Sequence, residues 1–318
     1  MRIGNTLGPV LANSAVDAPP TLSSDVLASI PSPSVSSFAL GPLTIHFYAL
    51  CILVGIIVAI VLTNHRLTKR GVEEWQVLDI ATLAVPLAIV CARIYHVITH
   101  YTDYFGPGRN PWNIFEPGSV WAIWEGGIAI FGALLGGVLG AWIMCRRMGI
   151  RLTALLDALA PGVILAQACG RFGNWFNQEL FGQPTTLPWG LEIDPSNPNF
   201  PADLPADTLF HPTFLYEVVW NSLGCLVLLW LGRHMFFRWG RLFGMYLVWY
   251  GAGRIVWESI RLDPSFVVLG LRTNVWAAIG AVALGLAIIV VQRLRHPEPE
   301  ISPFLKGREP EPEPKPAD

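Results

Sequence analysis

The chain has 318 residues, of which 53% are hydrophobic and only 14% are charged, and its formal net charge is −2. A soluble globular domain carries roughly 25% charged residues, so this composition excludes an ordinary soluble protein and indicates a polytopic membrane protein. The five cysteines lie in or at the edges of apolar runs without paired spacing, which favours membrane packing over a disulfide framework or a metal site.

The first 45 residues are rich in Ser, Pro and Ala and contain no apolar run long enough to span a bilayer. They also lack the basic start followed by an apolar core that a signal peptide needs. We expect residues 1–45 to form a flexible external leader.

Seven apolar segments follow, and each has about the 20 residues that a helix needs to cross roughly 30 Å of hydrocarbon. We place them at residues 46–63, 78–99, 121–145, 154–170, 213–232, 242–260 and 273–292. The sequence therefore predicts an all-α membrane protein with a seven-helix transmembrane domain over residues 46–292.

Basic residues alternate sharply between the connecting loops. They are concentrated after the first, third, fifth and seventh segments, at Arg66, Lys69, Arg70, Arg146, Arg147, Arg151, Arg233, Arg238, Arg241, Arg293, Arg295 and Lys306. Because cytoplasmic loops carry the excess of Lys and Arg, we expect the N-terminus outside and the C-terminus in the cytoplasm. On this topology the loop at about 171–212 is a small external head, and the Pro- and Glu-rich residues 293–318 are a disordered cytoplasmic tail.

Polar side chains within the apolar segments point to a functional site, because charge inside a bilayer is costly. On the predicted topology they gather toward the outer leaflet, at Tyr48, Arg93, Tyr95, Glu125, Arg171, His211, Glu217 and Arg254. We therefore expect a site that opens to that leaflet. In an alternative interpretation, Glu217 simply pairs with Arg93. Asp79 and Asp157 lie toward the cytoplasmic side and are interpreted as helix-start caps.

The densest polar group falls within residues 169–182. Arg171, Asn174, Asn177 and Glu179 occur within nine residues, among aromatic residues and glycines. Several donors beside a carboxylate at headgroup depth indicate a binding site. The alternative is a helix cap combined with an aromatic belt at the membrane interface.

A second polar group lies near the end of the sixth segment. Arg254, Glu258 and Arg261 are four and three residues apart, so they share one face of a helix. Alone, this motif is equally well explained by a structural Arg–Glu pair. Together with Arg171 at a similar depth, Arg254 forms an anion clamp, because guanidinium groups suit phosphate oxygens. The glycines of residues 124–132 are interpreted as helix-packing positions.

Motifs for several other chemistries are missing from the sequence. The motif His-Glu-x-x-His does not occur in the sequence, and we expect no metal site. No Gly-x-Ser-x-Gly elbow and no glycine-rich phosphate loop followed by Lys occur either, which disfavours a serine hydrolase or a nucleotide-driven pump.

The run Gly170-Arg171-Phe172-Gly173-Asn174-Trp175-Phe176-Asn177-Gln178-Glu179 resembles the signature of prolipoprotein diacylglyceryl transferases, bacterial plasma-membrane enzymes that lipidate lipoprotein precursors. Four further blocks fit in order, at residues 48–50, 92–95, 211–217 and 253–261. The resemblance covers about residues 40–292 and implies seven helices with an external N-terminus. One position departs, because Phe131 stands where many members carry a histidine regarded as the catalytic base. The identity of the catalytic base therefore stays open among four residues, His96, His100, Glu179 and Glu258.

The resemblance implies transfer of the diacylglyceryl group of phosphatidylglycerol to the lipobox cysteine thiol of a prolipoprotein, giving a thioether and glycerol 1-phosphate. It implies that Arg171 and Arg254 bind the phosphate, while Glu179 and Glu258 orient them or accept the thiol proton. The other substrate-binding residues would be Tyr48, Arg93, Tyr95, Asn174, Asn177, His211, Glu217 and Arg261. This scheme needs no metal or other cofactor and no nucleic acid.

A transporter of a small anion or lipid is the competing class, since it would also need intramembrane Arg–Glu pairs. It would be expected to bind near the bilayer midplane, often within an internal repeat, whereas here the polar groups crowd one leaflet and no repeat is visible. An inert scaffold subunit would leave the intramembrane charges unexplained.

Overall fold

The computed structural model describes residues 29–41, 43–106, 110–114, 118–123, 126–234, 236–263 and 265–309. These residues are mostly helical. The helices are α1 (Phe47–Thr68), α2 (Gln76–Thr99), α3 (Tyr101–Tyr104), α4 (Ile130–Arg147), α5 (Leu152–Phe176), α6 (Thr213–Leu231), α7 (Arg241–Ile260) and α8 (Thr273–Arg295). The strands are β1 (Ser37–Leu40), β2 (Leu43–His46), β3 (Leu191–Glu192), β4 (Leu209–Phe210), β5 (Val267–Val268) and β6 (Leu271–Arg272). They form three two-stranded antiparallel sheets, β1–β2, β3–β4 and β5–β6.

Six helices within the described residues are long and apolar enough to cross a membrane: α1, α2, α4, α5, α6 and α8. Their outward faces carry exposed Leu, Ile and Val side chains, which suits contact with lipid. The chain is therefore a multi-pass membrane protein, as the composition predicts. Helix α7 corresponds to the predicted sixth segment but falls outside this set, and it carries Arg254 and Glu258.

Two predicted segment boundaries change in ways that matter for the site. The third segment was expected to begin at residue 121, but α4 begins at Ile130, because Gly126 and Gly127 adopt φ of 95° and 73° and interrupt any helix there. Glu125 lies outside the described residues. The fourth segment was expected to end at residue 170, whereas α5 continues to Phe176. Arg171 and Asn174 therefore lie on a helix, not in the loop after it.

Glycines allow the helices to approach one another closely. A Cβ atom at Gly55 of α1 would lie 2.9 Å from the Ala166 carbonyl oxygen of α5, and one at Gly162 would lie 3.0 Å from that of Ala59. Helix α4 packs on α2 in the same way, with Gly132, Gly136 and Gly140 all buried. The packing interpretation is thus confirmed for Gly132, but it is wrong for Gly126 and Gly127, which lie before α4.

The helices alternate in direction, so the bundle has two distinct ends. At the head end, residues 177–212 form a small irregular head built around β3 and β4. Its core contains Phe181, Leu191, Ile193, Phe210 and Phe214. The other end, called the tail end, holds the start of α5, the start of α7 and the residues that follow α8.

Residues at both chain ends are more ordered than the sequence led us to expect. Ile30 forms an isolated parallel β-bridge with Leu191, and the indole of Trp175 donates to the Pro31 carbonyl at 3.2 Å. Described residues 29–45 of the predicted leader therefore belong to the folded structure, because Ile30 forms backbone hydrogen bonds with Gly190 and Glu192 of the head and β1 pairs with β2. Residues 296–309 likewise pack on the tail end. Residues 1–28 and 310–318 of the expected leader and tail lie outside the described residues.

Candidate active site

The last two turns of α5 hold the first group of site residues in place. The ring of Tyr48, at the start of α1, lies directly against Gly173, where any side chain would collide with it. After α5 ends, Gln178 and Leu180 adopt φ of 50° and 60°, which turns the chain sharply back. The amide N–H of Glu179 then donates to the Asn174 carbonyl at 3.0 Å, so the Glu179 side chain returns to the end of the helix.

A chain of hydrogen bonds connects the polar residues of this turn. Arg171 Nη1 donates to Asn174 Oδ1 at 3.2 Å, and Asn174 Nδ2 donates to Glu179 Oε1 at 2.8 Å. Asn177 Nδ2 reaches the same oxygen at 3.4 Å. On its other side, Arg171 Nη2 lies 2.8 Å from the Glu217 carboxylate of α6, which is itself buried. The guanidinium of Arg171 is thus held between α5 and α6 by side chains alone.

A second cluster is centred on Glu258 of α7, whose side chain has no exposed surface. Its carboxylate lies 2.9 Å from Arg254 Nη2, 3.7 Å from Arg261 Nη1 and 3.2 Å from Arg272 Nε. Asn274 Nδ2 donates to it at 2.9 Å. Arg254, Glu258 and Arg261 share one face of α7, as predicted. The alternative, in which the Arg–Glu pair has a structural role, also holds in part. Glu258 joins α7 to the start of α8.

The two clusters meet. Glu217, which pairs with Arg171, and Arg254, which pairs with Glu258, line the same space. A small cavity of about 10 Å³ lies between α6 and α7, with room for about one water molecule. It is lined by Glu217, Trp220, Asn221, Tyr250, Gly253, Arg254 and Trp257. Arg254 Nη1 is buried and has no hydrogen-bond partner within the part of the chain that the structure describes. That nitrogen can therefore donate a further hydrogen bond.

Arg93 of α2 has a different environment from the other predicted arginines. Its nitrogens donate to the backbone carbonyls of Ser119, Val120 and Gly126, each at 2.8 Å, and its guanidinium lies 5.0 Å from the centre of the Tyr104 ring. The alternative in which Glu217 pairs with Arg93 is wrong, because Glu217 pairs with Arg171. This placement favours a role for Arg93 in holding the loop before α4.

The remaining predicted residues of α2 and α4 lie together, on the pair of helices that pack mainly against each other. The rings of His96 and His100 stack with centres 4.2 Å apart, and His96 lies against Gly127. The Tyr95 ring centre is 6.2 Å from that of Phe131, which is 53% exposed. Of the four candidate bases, only Glu179 and Glu258 belong to the two arginine clusters.

His211 lies two residues before α6, close to the first cluster. Its Nδ1 lies 3.1 Å from the Tyr216 hydroxyl, which also accepts a hydrogen bond from Trp189 Nε1 at 3.1 Å. The His211 backbone exchanges hydrogen bonds with Gly182 and Gln183 of the head. His211 therefore ties the head to α6.

The structure brings most of the predicted residues into two connected clusters at the head end and leaves a minority outside those clusters. Those it joins are Tyr48, Arg171, Asn174, Asn177, Glu179, His211, Glu217, Arg254, Glu258 and Arg261. Sequence reasoning gave no role to Arg272 and Asn274, which complete the Glu258 cluster. The only available signal was a pair of polar residues at the start of an apolar segment, on the same side of the membrane as Arg254.

Asp157 also differs from the prediction that it caps its own helix. Its carboxylate accepts the N–H groups of Gly240 at 2.8 Å and Phe243 at 3.0 Å. It therefore caps the start of α7 from the neighbouring helix α5, where the N-terminal N–H groups lack intrahelical partners.

Comparison with known proteins gives a consistent result. A family model described as prolipoprotein diacylglyceryl transferase matches residues 35–291. A protein of Leifsonia xyli subsp. xyli named phosphatidylglycerol–prolipoprotein diacylglyceryl transferase is 55% identical over 288 residues, which cover 89% of this chain and 86% of that protein. Proteins of the same name from Cutibacterium acnes and Paenarthrobacter aurescens are 48% and 47% identical. Those alignments each cover 84% of this chain, and 88% and 84% of the two relatives respectively.

Proposed function

Because this chain belongs to the prolipoprotein diacylglyceryl transferase family, we propose that Arg171 and Arg254 hold the phosphate of phosphatidylglycerol during transfer of its diacylglyceryl group. The membership confirms the family expected from the signature at Gly170–Glu179, and it makes the protein a membrane transferase of lipoprotein maturation. The transporter alternative has no support, since the relatives carry the transferase name.

The observation that carries the proposal is the convergence of two arginines from different helices. Arg171 on α5 and Arg254 on α7 each pair with a carboxylate, and Glu217, the partner of Arg171, lines the same small cavity as Arg254. An anion bound between the two helices would be attracted by both guanidinium groups. The unpartnered Nη1 of Arg254 offers such an anion a hydrogen bond in a dry environment, where charge-assisted bonds are strong.

In the proposed reaction, the lipobox cysteine sulfur attacks the glyceryl carbon that carries the phosphate. The C–S bond forms, the C–O bond breaks, and the electron pair leaves with the phosphate oxygen of glycerol 1-phosphate. A phosphodiester monoanion becomes a phosphomonoester, so negative charge grows on the group between the arginines. Guanidinium groups already in place therefore stabilise the transition state more than the ground state.

The thiol must lose its proton, because its ordinary pKa of about 8.5 leaves little thiolate at neutral pH. We assign the proton to Glu179. The Glu179 carboxylate accepts hydrogen bonds from Asn174 and Asn177, and both reach the same oxygen, Oε1. The Glu258 carboxylate, by contrast, is enclosed by three arginines and an amide. Glu217 and Glu258 then orient Arg171 and Arg254. Tyr48, Asn174 and Asn177 line the approach of the glycerol group.

The membrane arrangement is also part of the proposal. We place α7 as a seventh span beside the six apolar helices, with the N-terminus outside and the head end facing the outer leaflet of the bacterial plasma membrane. Residues 46–292 are the catalytic domain on this view. The basic residues of the tail end support this orientation, since Lys and Arg concentrate on the cytoplasmic side.

The test uses the purified full-length protein in lipid nanodiscs that contain phosphatidylglycerol, with a synthetic peptide carrying a lipobox cysteine. Wild type is expected to increase the peptide mass by one diacylglyceryl unit. Arg171→Ala should abolish this product while the protein remains inserted, and the matched variant Arg146→Ala, at an exposed position of the tail end, should retain it. Thioether product from Arg171→Ala at the wild-type rate would remove Arg171 from the mechanism.

A further inference from the structure

Residues 296–309, called the tail segment, cross the tail end of the bundle after α8. The His296 ring stacks on Trp239, in the connection between α6 and α7, with ring centres 4.0 Å apart. Further along, Phe304 pairs with Ile150 in the connection between α4 and α5, where Arg151 N–H donates to the Pro303 carbonyl at 2.9 Å. The tail segment thus spans two connections that are distant in sequence.

Glu300 lies at the centre of the tail segment, and its side chain has no exposed surface. Its carboxylate lies 2.5 Å from Arg70 Nη2 and 3.0 Å from Arg151 Nη2, and it accepts the Trp239 N–H at 3.5 Å. Arg70 also donates to the Ala154 carbonyl in the first turn of α5, at 3.2 Å. A buried carboxylate without partners is strongly destabilising, so these contacts define where the segment lies.

The contacts of Glu300 also fix the start of α5 relative to the start of α7. Arg151 is the N-cap residue of α5, and Trp239 comes two residues before α7. Asp157 of α5 already caps α7 through Gly240 and Phe243, next to this cluster. The Glu300 carboxylate therefore adds a second connection between the two helices, from outside both of them.

The opposite ends of these two helices carry the arginines of the active site. Helix α5 has 25 residues, and a helix of that length is a rod of about 37 Å, so a rotation at its start displaces its far end. Catalysis is sensitive to such displacement, since a shift of about 1 Å can lower a rate about 100-fold.

We propose that the tail segment is a strap that sets the angle between α5 and α7, and that Glu300 is a positioning residue for the transfer reaction. The inference rests on the proposed roles of Arg171 and Arg254. It concerns residues outside the region that the family model matches, which ends at residue 291.

The experiment compares wild type, Glu300→Gln and Glu298→Gln, each as the full-length chain in phosphatidylglycerol nanodiscs. Glu298 is an exposed carboxylate two residues before Glu300, so its variant controls for loss of charge from the segment. For each protein we would measure the melting temperature, the fraction folded, and kcat and KM for lipobox-peptide lipidation. Glu300→Asp, which keeps the charge but shortens the side chain, replaces Glu300→Gln if that variant does not insert.

Glu300→Gln is expected to lower kcat per folded molecule about tenfold while KM for phosphatidylglycerol changes less than about twofold. Glu298→Gln should match wild type in both. If Glu300→Gln lowers only the melting temperature and its folded fraction turns over like Glu298→Gln, the positioning role is wrong while the proposed function stands. If wild type itself forms no thioether product, the proposed function fails first, and this inference fails with it.

Discussion

Two regions at the head end contain buried or half-buried arginines, whose partners are of opposite kinds. Near α2, Arg93 donates to backbone carbonyls of the loop before α4. Between α5 and α7, the side chains of Arg171 and Arg254 are paired with carboxylates. A carbonyl partner is part of the fold and is lost only when the loop moves. A carboxylate partner can share its arginine with a ligand anion, so the second arrangement suits binding and the first suits structure.

The largest expected effect separates these two regions directly. Arg254→Ala should lower kcat/KM for diacylglyceryl transfer about 1000-fold, because it removes a fixed positive charge from the growing phosphate charge. Arg93→Ala should instead reduce the amount of folded protein, with near wild-type turnover in the fraction that folds. Activity per folded molecule, measured in nanodiscs after size-exclusion chromatography, decides between them. Similar losses per folded molecule in both variants would remove the distinction.

A smaller effect tests whether the carboxylates orient the arginines. Glu217→Gln should lower kcat about 10- to 100-fold, the equivalent of ~1.5–3 kcal/mol for a charge-assisted hydrogen bond. Arg171 would keep its charge but lose the partner 2.8 Å away. The control is Asp203→Asn, an exposed carboxylate of the head. Wild-type kcat in Glu217→Gln would show that Asn174 alone holds Arg171.

The packing of α1 on α5 gives a matched pair of glycine variants. Gly173→Ala should destabilise the protein by ~1–3 kcal/mol, because the new methyl group collides with the Tyr48 ring. Gly170→Ala, on the same helix with open space around it, should stabilise it by ~0.5–1 kcal/mol. Denaturant unfolding in detergent measures both. Equal stability in the two variants would mean that Tyr48 does not depend on Gly173 for its position.

The smallest effect concerns Phe131, at the position where the resemblance described above led us to expect a histidine. Phe131→Ala should change kcat/KM by about twofold or less, since an exposed side chain away from special features contributes ~0.5 kcal/mol or less. The peptide-lipidation assay measures it. A loss above tenfold would bring the α2–α4 region, with Tyr95 beside Phe131, back into the catalytic mechanism.

The sequence predicted the apolar helices and the family well, because both depend on local patterns. Runs of apolar residues define spans by length, and the four- and three-residue spacing of Arg254, Glu258 and Arg261 places them on one face of α7. The start of α4 was missed because two glycines in left-handed conformation interrupt an apolar run that hydropathy alone cannot divide.

Contacts between distant residues could not be predicted in the same way. Arg93 looked like Arg171 in sequence, since each is a charged residue near the outer end of an apolar segment. Their partners distinguish them, and those of Arg93 are carbonyl groups 26–34 residues away that no side-chain pattern marks. The tail segment was interpreted as disordered because its Pro and Glu content cannot form an apolar core. One of those glutamates is buried between arginines instead.

The position of Glu300 also bears on how the protein is made. The ribosome synthesises Arg70 230 residues before Glu300, so the arginine is made long before its partner. The helices can insert one after another, but the contacts at the tail end form only when the last part of the chain emerges. Nascent chains that stop before residue 300 should therefore be inserted but incompletely folded, and exposed to membrane quality-control proteases.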